Sequence, residues 1–246
     1  SDRYMAKGTM PSFDKGDSEE LNGRGPTTAS ILFITNIAPH YREELWKELA
    51  KRYENGLYFV FGKSKAGIKE LDFESILGQK SSISRAKNLY LGRHLICQFI
   101  SVKLLFKRWD SVIITGEVHV LSNWFYAIYF RYLCLARTVV WTHGLYGNEK
   151  FLKRKARVLF YSLFNYVLVY NRRSKRLLSA EGLPSNKVRV IYNSFCYHFL
   201  KQSSVQVSED IFKGGSSLFR LIFIGRITKQ KNLELVLEAL VLLKEK

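Results

Sequence analysis

Runs of apolar residues alternate with longer amphipathic segments along most of the chain. The apolar runs are continuous rather than interrupted at every second position, which is typical of strands covered by helices on both faces of a sheet. We predict strands at 31–37, 57–62, 111–116, 138–144, 166–171, 188–194 and 217–226, with a further short strand near Ser82.

The segments between these strands place apolar residues three and four positions apart, which predicts helices. The predicted helices are 42–53, 91–109, 123–136, 149–163, 173–182 and 232–246. In the second of them, Leu95, Phe99, Val102 and Phe106 form the apolar stripe expected to face the core. Strands that alternate with helices indicate βαβ units, because parallel strands need long crossovers. The sequence therefore predicts an α/β fold with a doubly wound, Rossmann-like parallel sheet.

Composition shifts along the chain suggest its domain organisation. Residues 1–29 are polar, without an apolar period, and we interpret them as a flexible leader outside the fold. Residues 30–203 form the predicted first domain, and 204–216, with Gly214 and Gly215, form a linker. Residues 217–246 read as the first β-α unit of a second domain. Because one such unit cannot build its own core, we expect the second domain to be incomplete in this chain, or its helix to pack on the first domain.

The 246 residues are 47% hydrophobic, which excludes a chain that is disordered throughout. Three cysteines, Cys97, Cys134 and Cys196, lie far apart and form no C-x-x-C pair, so neither a zinc knuckle nor a redox pair is indicated. They are interpreted as small buried residues in a reducing compartment. The longest apolar stretch, 121–136, contains Arg131 and is too short to span a bilayer. We therefore expect a cytoplasmic protein, either soluble or peripheral on the cytoplasmic face of the membrane.

The net charge of +18 is concentrated in one segment. Twelve basic residues lie between Lys150 and Lys201, opposed only by Glu181. The clusters 150–157 and 172–176 are interleaved with apolar residues, a pattern typical of a helix on an anionic membrane surface. A solvated charged face is the plain alternative, and nucleic-acid binding is disfavoured because no recognition motif is present.

A candidate anion site follows the last predicted strand. Gly225 ends the strand, and Arg226 and Lys231 lie in the turn before the next helix. Ligands of parallel sheets bind at the carboxyl ends of strands, and a helix N-terminus favours anions there. On spacing alone, the two cations fit either a diphosphate-binding pair or a solvated loop.

Four motifs in order resemble GT-B glycosyltransferases of family 4, the glycosyltransferase group 1 type. GRITKQKN (225–232) is similar to the G-R-x-x-x-x-K segment that opens their second domain, and KVRVIYNSF (187–195) to the strand before their interdomain linker. TNIAPHYREELW (35–46) resembles their first loop, and VVWTHGLYGNEK (139–150) their His-Gly strand end.

The resemblance implies a donor, a nucleotide-diphospho-sugar, bound mainly on the second domain, and an acceptor bound on the first. Gly225, Arg226 and Lys231 would then hold the donor diphosphate, and His143 would act as the catalytic residue near the sugar and the acceptor. The alternative for His143 is a structural histidine whose ring nitrogens make hydrogen bonds with neighbouring backbone. Fixed cations can stabilise the leaving diphosphate without a metal, and the chain has no D-x-D pair. No metal and no cofactor are therefore expected.

The predicted acceptor side comprises His40, Tyr41 and Arg42 in the first loop and Glu117 at another strand end, close to His119. Arg42 could equally be a solvated residue of the first helical turn. Glu149 and Lys150 are interpreted as a solvated helix start.

The chain ends before the Glu-x7-Glu segment that the resemblance implies, and Glu234 and Glu238 are too closely spaced to replace it. We therefore expect a retaining, metal-independent glycosyltransferase that acts on a glycan or lipid-linked acceptor and is inactive as this fragment. The alternatives are a nucleotide-sugar epimerase of the same fold and a non-catalytic basic domain that binds a membrane or nucleic acid.

Overall fold

The computed structural model describes residues 29–39, 42–53, 56–62, 82–92, 95–193, 221–225, 227 and 229–244. The chain divides into two compact units, residues 1–199 and 200–246. The predicted linker and nearly all of the predicted leader lie outside the described residues, so the domain bounds stay predictions.

The first unit is built on a seven-stranded sheet in which every neighbouring pair is parallel. Its strands are β1 (Ile31–Thr35), β2 (Leu57–Phe61), β3 (Ser82–Arg85), β6 (Ser111–Thr115), β7 (Arg137–Thr142), β8 (Tyr166–Val169) and β9 (Val188–Val190). The two remaining strands, β4 (Lys87–Leu91) and β5 (Leu95–Phe99), form a separate antiparallel hairpin. The sheet order is β3-β2-β1-β6-β7-β8-β9, so the strand order reverses direction between β1 and β6. The predicted α/β, doubly wound parallel fold is confirmed.

Alternate residues of β1 enter two different cores, which is why the whole strand is buried. Phe33 packs in a cluster with Trp46, Phe59 and Trp141 on one face of the sheet. Leu32 and Ile34 belong to the larger cluster, which also contains Phe130, Phe160 and Leu178. Burial on both faces explains the continuous apolar runs of these strands.

Helices cover both faces of the sheet. They are α1 (Glu43–Arg52), α2 (Val102–Phe106), α3 (Leu121–Ile128), which continues into a π-helical turn at Tyr129–Leu133, α4 (Phe151–Ser162) and α5 (Arg172–Ala180). The side chain of Asn171 accepts a hydrogen bond from the amide of Ser174 (2.7 Å) and so caps the start of α5. Gly182, with φ +95°, ends that segment in the left-handed region that favours glycine.

The helix predicted over 91–109 is wrong. This segment forms the second half of the β4–β5 hairpin and the short helix α2. Gly92 allows the hairpin turn with φ +66°. The apolar stripe Leu95, Phe99, Val102 and Phe106, expected to face the core, is exposed. A short apolar run does not distinguish strand from helix by periodicity alone, and here the turn at Gly92 decided the outcome.

The second unit has a helix but no strand within its described residues. The 3₁₀ turn Lys229–Lys231 leads into α6 (Leu233–Lys244), as predicted from the sequence. Residues 221–225, the described part of the strand predicted at 217–226, are not in a strand. A strand needs partner N–H and C=O groups, and none of the described residues supplies them to this segment.

Candidate functional site

A cleft of about 1120 Å³ lies at the carboxyl edge of the sheet in the first unit. Residues that follow four neighbouring strands meet there, and the β4–β5 hairpin forms one wall. The side chains with chemistry to offer are Arg42, Glu117, His119, His143, Lys153 and Arg157. In open parallel sheets, ligands bind outside the carboxyl ends of strands where the strand order reverses, and this cleft includes the loops after β1 and β6.

His143 follows the last residue of β7 and lines the cleft. Its ring centroid lies 4.6 Å from that of Tyr170, and the ring of Tyr146 is stacked at 6.2 Å. Burial lowers the pKa of His143, and the nearby Arg42 and Arg157 charges lower it further. At neutral pH the imidazole is therefore uncharged, with one nitrogen able to donate and the other to accept a hydrogen bond.

The glycine after His143 is required by its surroundings. Gly144 has φ +70°, and a Cβ at this position would lie 3.0 Å from Cβ of Ser174 and 3.3 Å from Val169. The Ser174 hydroxyl donates to the backbone carbonyl of His143 (2.8 Å). The His-Gly pair is thus held against the start of α5, with the imidazole left free to face the cleft.

Arg42 immediately precedes α1 and lines the cleft. Its Nη2 donates to the Tyr170 hydroxyl (2.7 Å), and its guanidinium carbon lies 4.7 Å from the centroid of the Trp141 ring. A guanidinium stacked on an aromatic face and hydrogen-bonded at its edge is a positioned cation rather than a freely solvated one. Of the two interpretations open at the sequence level, this placement favours the cleft.

Glu117 comes two residues after the end of β6, and its carboxyl group is buried in the wall of the cleft. Burial raises the pKa of Glu117, and the Thr115 hydroxyl and the Arg42 charge lower it by smaller amounts. Its Oε2 has no hydrogen-bond partner among the described residues. Gly116, just before it, lies so close to Thr142 that an added Cβ would clash with the Thr142 side chain. The strand ends are packed tightly enough to hold this carboxyl group inside.

Glu149 was expected to be solvated, and this interpretation is wrong. Its side chain is only 4% exposed, and Nη1 of Arg157 lies 3.2 Å from its Oε1. The carboxylate accepts the amides of Tyr146 (2.8 Å) and Gly147 (2.9 Å), and the same Arg157 nitrogen donates to the Gly144 carbonyl (2.9 Å). Burial alone would raise the pKa of Glu149, but these amides and Arg157 hold it below its usual value. Lys150, by contrast, is exposed as expected.

This Glu149–Arg157 network fixes the loop that carries His143, and sequence reasoning missed it. The available signal was the spacing: residues eight apart lie on one helical face two turns apart, although Glu149 precedes α4 rather than belonging to it. The decisive contact, from Arg157 to a backbone carbonyl, leaves no signature in residue types.

Five predicted site residues are not among the described residues that line the cleft. His40, Tyr41 and Arg226 are outside the described residues. Gly225 and Lys231 belong to the second unit and are exposed, with Lys231 ending the 3₁₀ turn before α6. The diphosphate-binding role of Gly225, Arg226 and Lys231 stays a prediction.

Across the described ranges, no three His, Cys, Asp or Glu side chains converge as they would around a metal ion. None of the described helices has the length and apolarity needed to cross a bilayer.

No family model and no curated protein matches the sequence. Among solved structures, Anabaena HepE in complex with UDP-glucose is similar to the chain at 18% identity and a TM-score of 0.45, over 68% of this chain and 44% of HepE. UDP-GlcNAc 2-epimerase from Methanocaldococcus jannaschii is similar at 17% identity and a TM-score of 0.43, over 66% of this chain and 44% of the epimerase. The lipopolysaccharide outer core galactosyltransferase WaaB, in its apo form, is similar at 15% identity and a TM-score of 0.41, over 67% of this chain and 45% of WaaB. The chain thus spans less than half the length of each, and these values assign neither a family nor a reaction to it.

Proposed function

We propose that this chain provides the acceptor-binding cleft of a GT-B glycosyltransferase of the family 4 type, which moves a sugar from a nucleotide-diphospho-sugar to a glycan or lipid-linked acceptor. The observation that carries the proposal is the cleft at the switch point of the sheet. There an uncharged imidazole and a buried carboxyl group come from the ends of two adjacent strands, β6 and β7. The order of the four sequence motifs supports the same reaction class.

Glu117 suits an acceptor hydroxyl. A buried polar atom left without a partner costs about 1–3 kcal/mol, and Oε2 of Glu117 has no hydrogen-bond partner among the residues that the structure describes. A sugar hydroxyl bound in the cleft would supply the missing hydrogen bond. The neighbouring Arg42 guanidinium, stacked on Trp141 and hydrogen-bonded to Tyr170, offers positioned N–H donors for further saccharide oxygens.

His143 suits the reacting centre. Because its pKa is lowered, the imidazole stays neutral at physiological pH and can donate to one sugar oxygen while accepting from another. It is held through backbone carbonyls, its own bound by the Ser174 hydroxyl and that of Gly144 bound by Arg157. In the proposed reaction negative charge builds on the departing diphosphate, and Arg226 and Lys231 would stabilise it without a metal, with retention at the anomeric carbon.

The proposal is tested by saccharide binding to the purified 246-residue chain, on an array of glycans and lipid-linked saccharides. We expect binding to a subset of the array, weakened at least about tenfold by His143→Ala through the loss of a cleft hydrogen bond. Glu48→Ala on the exposed side of α1 is the control and should bind as the wild type does.

Absence of saccharide binding, or binding that His143→Ala leaves unchanged, would contradict the proposal. Incubation with labelled nucleotide sugars separates the reaction classes. Release of free nucleotide without any acceptor would favour an epimerase or hydrolase over a transferase.

A further inference from the structure

Large apolar side chains are exposed together on one side of the first unit. They come from the hairpin, from α2 and from α3 with its π-helical turn. This outer apolar face comprises Leu89, Leu91, Leu95, Phe99, Val102, Phe106, Leu121, Phe125, Ile128 and Tyr132. Single exposed apolar residues are ordinary, but a group of this size on elements that contact one another marks an interaction surface.

The α3 segment is apolar on two opposite sides. Tyr126, Ala127 and Phe130 enter the core, as a helix covering a sheet requires. Leu121, Phe125, Ile128 and Tyr132 follow one another at intervals of four, three and four residues, so they form a second stripe on the exposed side. No residue of Leu121–Ile128 is charged. A helix that faced only water would carry polar residues along that stripe.

The β4–β5 hairpin buries a polar residue and exposes apolar ones, the reverse of an ordinary half-buried hairpin. In β5, Gln98 is the buried residue, and its side-chain Nε2 donates to the Thr35 carbonyl (3.2 Å). Its neighbour Phe99 points outward instead. Leu91 pairs with Leu95 across the hairpin, so both lie on the same outward side. Leu91, Leu95 and Phe99 are therefore directed away from the protein core, whereas Ile96, on the same side of β5 as Gln98, lines the cleft.

Hydrogen bonds join these three elements into one surface. The amide of Gln98 donates to the Ser122 hydroxyl (2.8 Å), and the Tyr126 hydroxyl donates to the Gln98 carbonyl (2.7 Å). The Tyr129 hydroxyl donates to the carbonyl of Leu105 in α2 (3.0 Å). The face is thus fixed by the fold and does not depend on a rearrangement of loops.

The charged residues of the segments that carry the outer apolar face have one sign. The sequence contains no Asp or Glu between 86 and 109 or between 118 and 148. Both stretches carry basic residues, among which Lys87, Lys103 and Arg108 are exposed. A basic border attracts anionic lipid headgroups, and it would repel the same border of a second copy of this chain.

We propose that the outer apolar face docks onto a lipid bilayer that contains anionic lipids, with the apolar side chains entering the headgroup region and the basic border contacting the headgroups. This surface differs from the basic clusters at 150–157 and 172–176 that the sequence suggested for the same role. In those clusters Arg157 is committed to Glu149, and Arg154 and Lys155 pair with Glu181.

Docking in this way would bring the cleft next to the lipid. Gly92 and Leu95, at the turn of the hairpin, line the cleft as well. If the acceptor is lipid-linked, a consequence that rests on the proposed function, its sugar could reach Glu117 and His143 without leaving the membrane. The docking itself requires no catalytic activity.

Vesicle co-sedimentation tests the proposal with the whole chain and its variants. We compare phosphatidylcholine vesicles with vesicles containing 30% phosphatidylglycerol, and expect about tenfold tighter binding to the anionic ones. The variant Phe106→Glu/Phe125→Glu places two carboxylates on the face, at side chains 81% and 54% exposed. It should lose binding at least about tenfold while its circular dichroism and melting temperature stay near those of the wild type.

The matched control is Leu152→Glu/Leu159→Glu on α4, which adds the same charge at side chains 80% and 59% exposed. It should bind vesicles nearly as the wild type does. Equal loss in both variants, loss in the α4 variant alone, or no vesicle binding by the wild type would overturn the proposal. So would a wild-type dimer in solution that Phe106→Glu/Phe125→Glu converts to a monomer.

Discussion

Glu117 shows how one buried group links stability and function. Its carboxyl group follows Gly116, where any larger side chain would clash with Thr142. Its Oε2 has no hydrogen-bond partner within the described part of the chain. Such a group is a cost to the folded protein unless a ligand meets it. The same cost makes it useful, because the cleft is prepared for a hydroxyl before the ligand arrives.

Replacing Glu117 by Gln should therefore stabilise the chain, and the gain should depend on pH. Burial raises the folded pKa of Glu117 above its ordinary value of 4.5. The folded state then binds the proton more tightly than the unfolded chain, so the contribution of Glu117 is complete below about pH 4.5 and declines as pH rises through the folded pKa. Glu117→Gln cannot ionise, and we expect it to exceed the wild type by about 1–3 kcal/mol at pH 8.

Urea denaturation of both proteins from pH 4.5 to pH 8 measures this difference. The gain should shrink toward the acid end of the range. Glu48→Gln, an exposed change of the same chemistry, should give no comparable pH-dependent gain. A difference between Glu117→Gln and the wild type that is constant with pH would contradict the argument.

At the scale of elements, the loop between β7 and α4 depends on a salt bridge at the start of the helix. Arg157 joins Glu149 to the Gly144 carbonyl, and Glu149 holds two amides of the loop. His143 is thus positioned by Glu149 and by Arg157, the second of which also lines the cleft.

Arg157→Met should loosen this loop. The substitution leaves a buried carboxylate without its cation, which typically costs about 3–5 kcal/mol. We expect a lower melting temperature and faster amide exchange at Tyr146 and Gly147. Arg154→Met is the matched control on the same helix, since its partner Glu181 and Arg154 itself are more exposed and such pairs contribute less than about 1 kcal/mol. Equal losses in the two variants, or unchanged exchange at Tyr146, would show that the network does not hold the loop.

The strands could be predicted from the sequence and the hairpin could not, for a physical reason. Strand β1 is buried on both faces, and β2 is nearly so, and burial alone therefore selects continuous apolar runs such as 31–35. In β5 the large apolar side chains of Leu95 and Phe99 face outward and Gln98 faces inward. The rule that apolar residues enter the core then predicts a helix where the chain forms a strand, and it places the exposed apolar side chains in the core. The failed prediction at 91–109 coincides with the face proposed here for lipid binding.

The site could be predicted in part because strand ends are visible in a sequence. His143, Arg42 and Glu117 each follow a strand, and the parallel sheet brings all three to one cleft. The Glu149–Arg157 pair and the stacking of Arg42 on Trp141 depend on contacts between elements distant in the chain. Local patterns carry no information about such contacts.

At the scale of the whole molecule, the net charge of +18 should limit stability at low salt. Like charges on a compact chain repel one another, and salt screens them with a Debye length near 30 Å at 0.01 M and near 8 Å at 0.15 M. Salt also weakens exposed ion pairs such as Lys47–Glu43, but each such pair is worth only about 0.2–1 kcal/mol. Since the basic residues between Lys150 and Lys201 outnumber acidic ones twelve to one, screening of repulsion should prevail.

We therefore expect the melting temperature of the chain to rise by about 2–4 °C between 0.01 M and 0.15 M NaCl, corresponding to about 1 kcal/mol for a chain of this length. The variant Lys153→Gln/Arg176→Gln/Arg189→Gln removes three exposed charges from the basic segment. It should melt higher than the wild type at 0.01 M and respond less to salt. Glu48→Gln adds to the net charge and should respond slightly more. A melting temperature that falls with NaCl would show that attractive ion pairs, rather than repulsion within the basic segment, dominate the electrostatics of the fold.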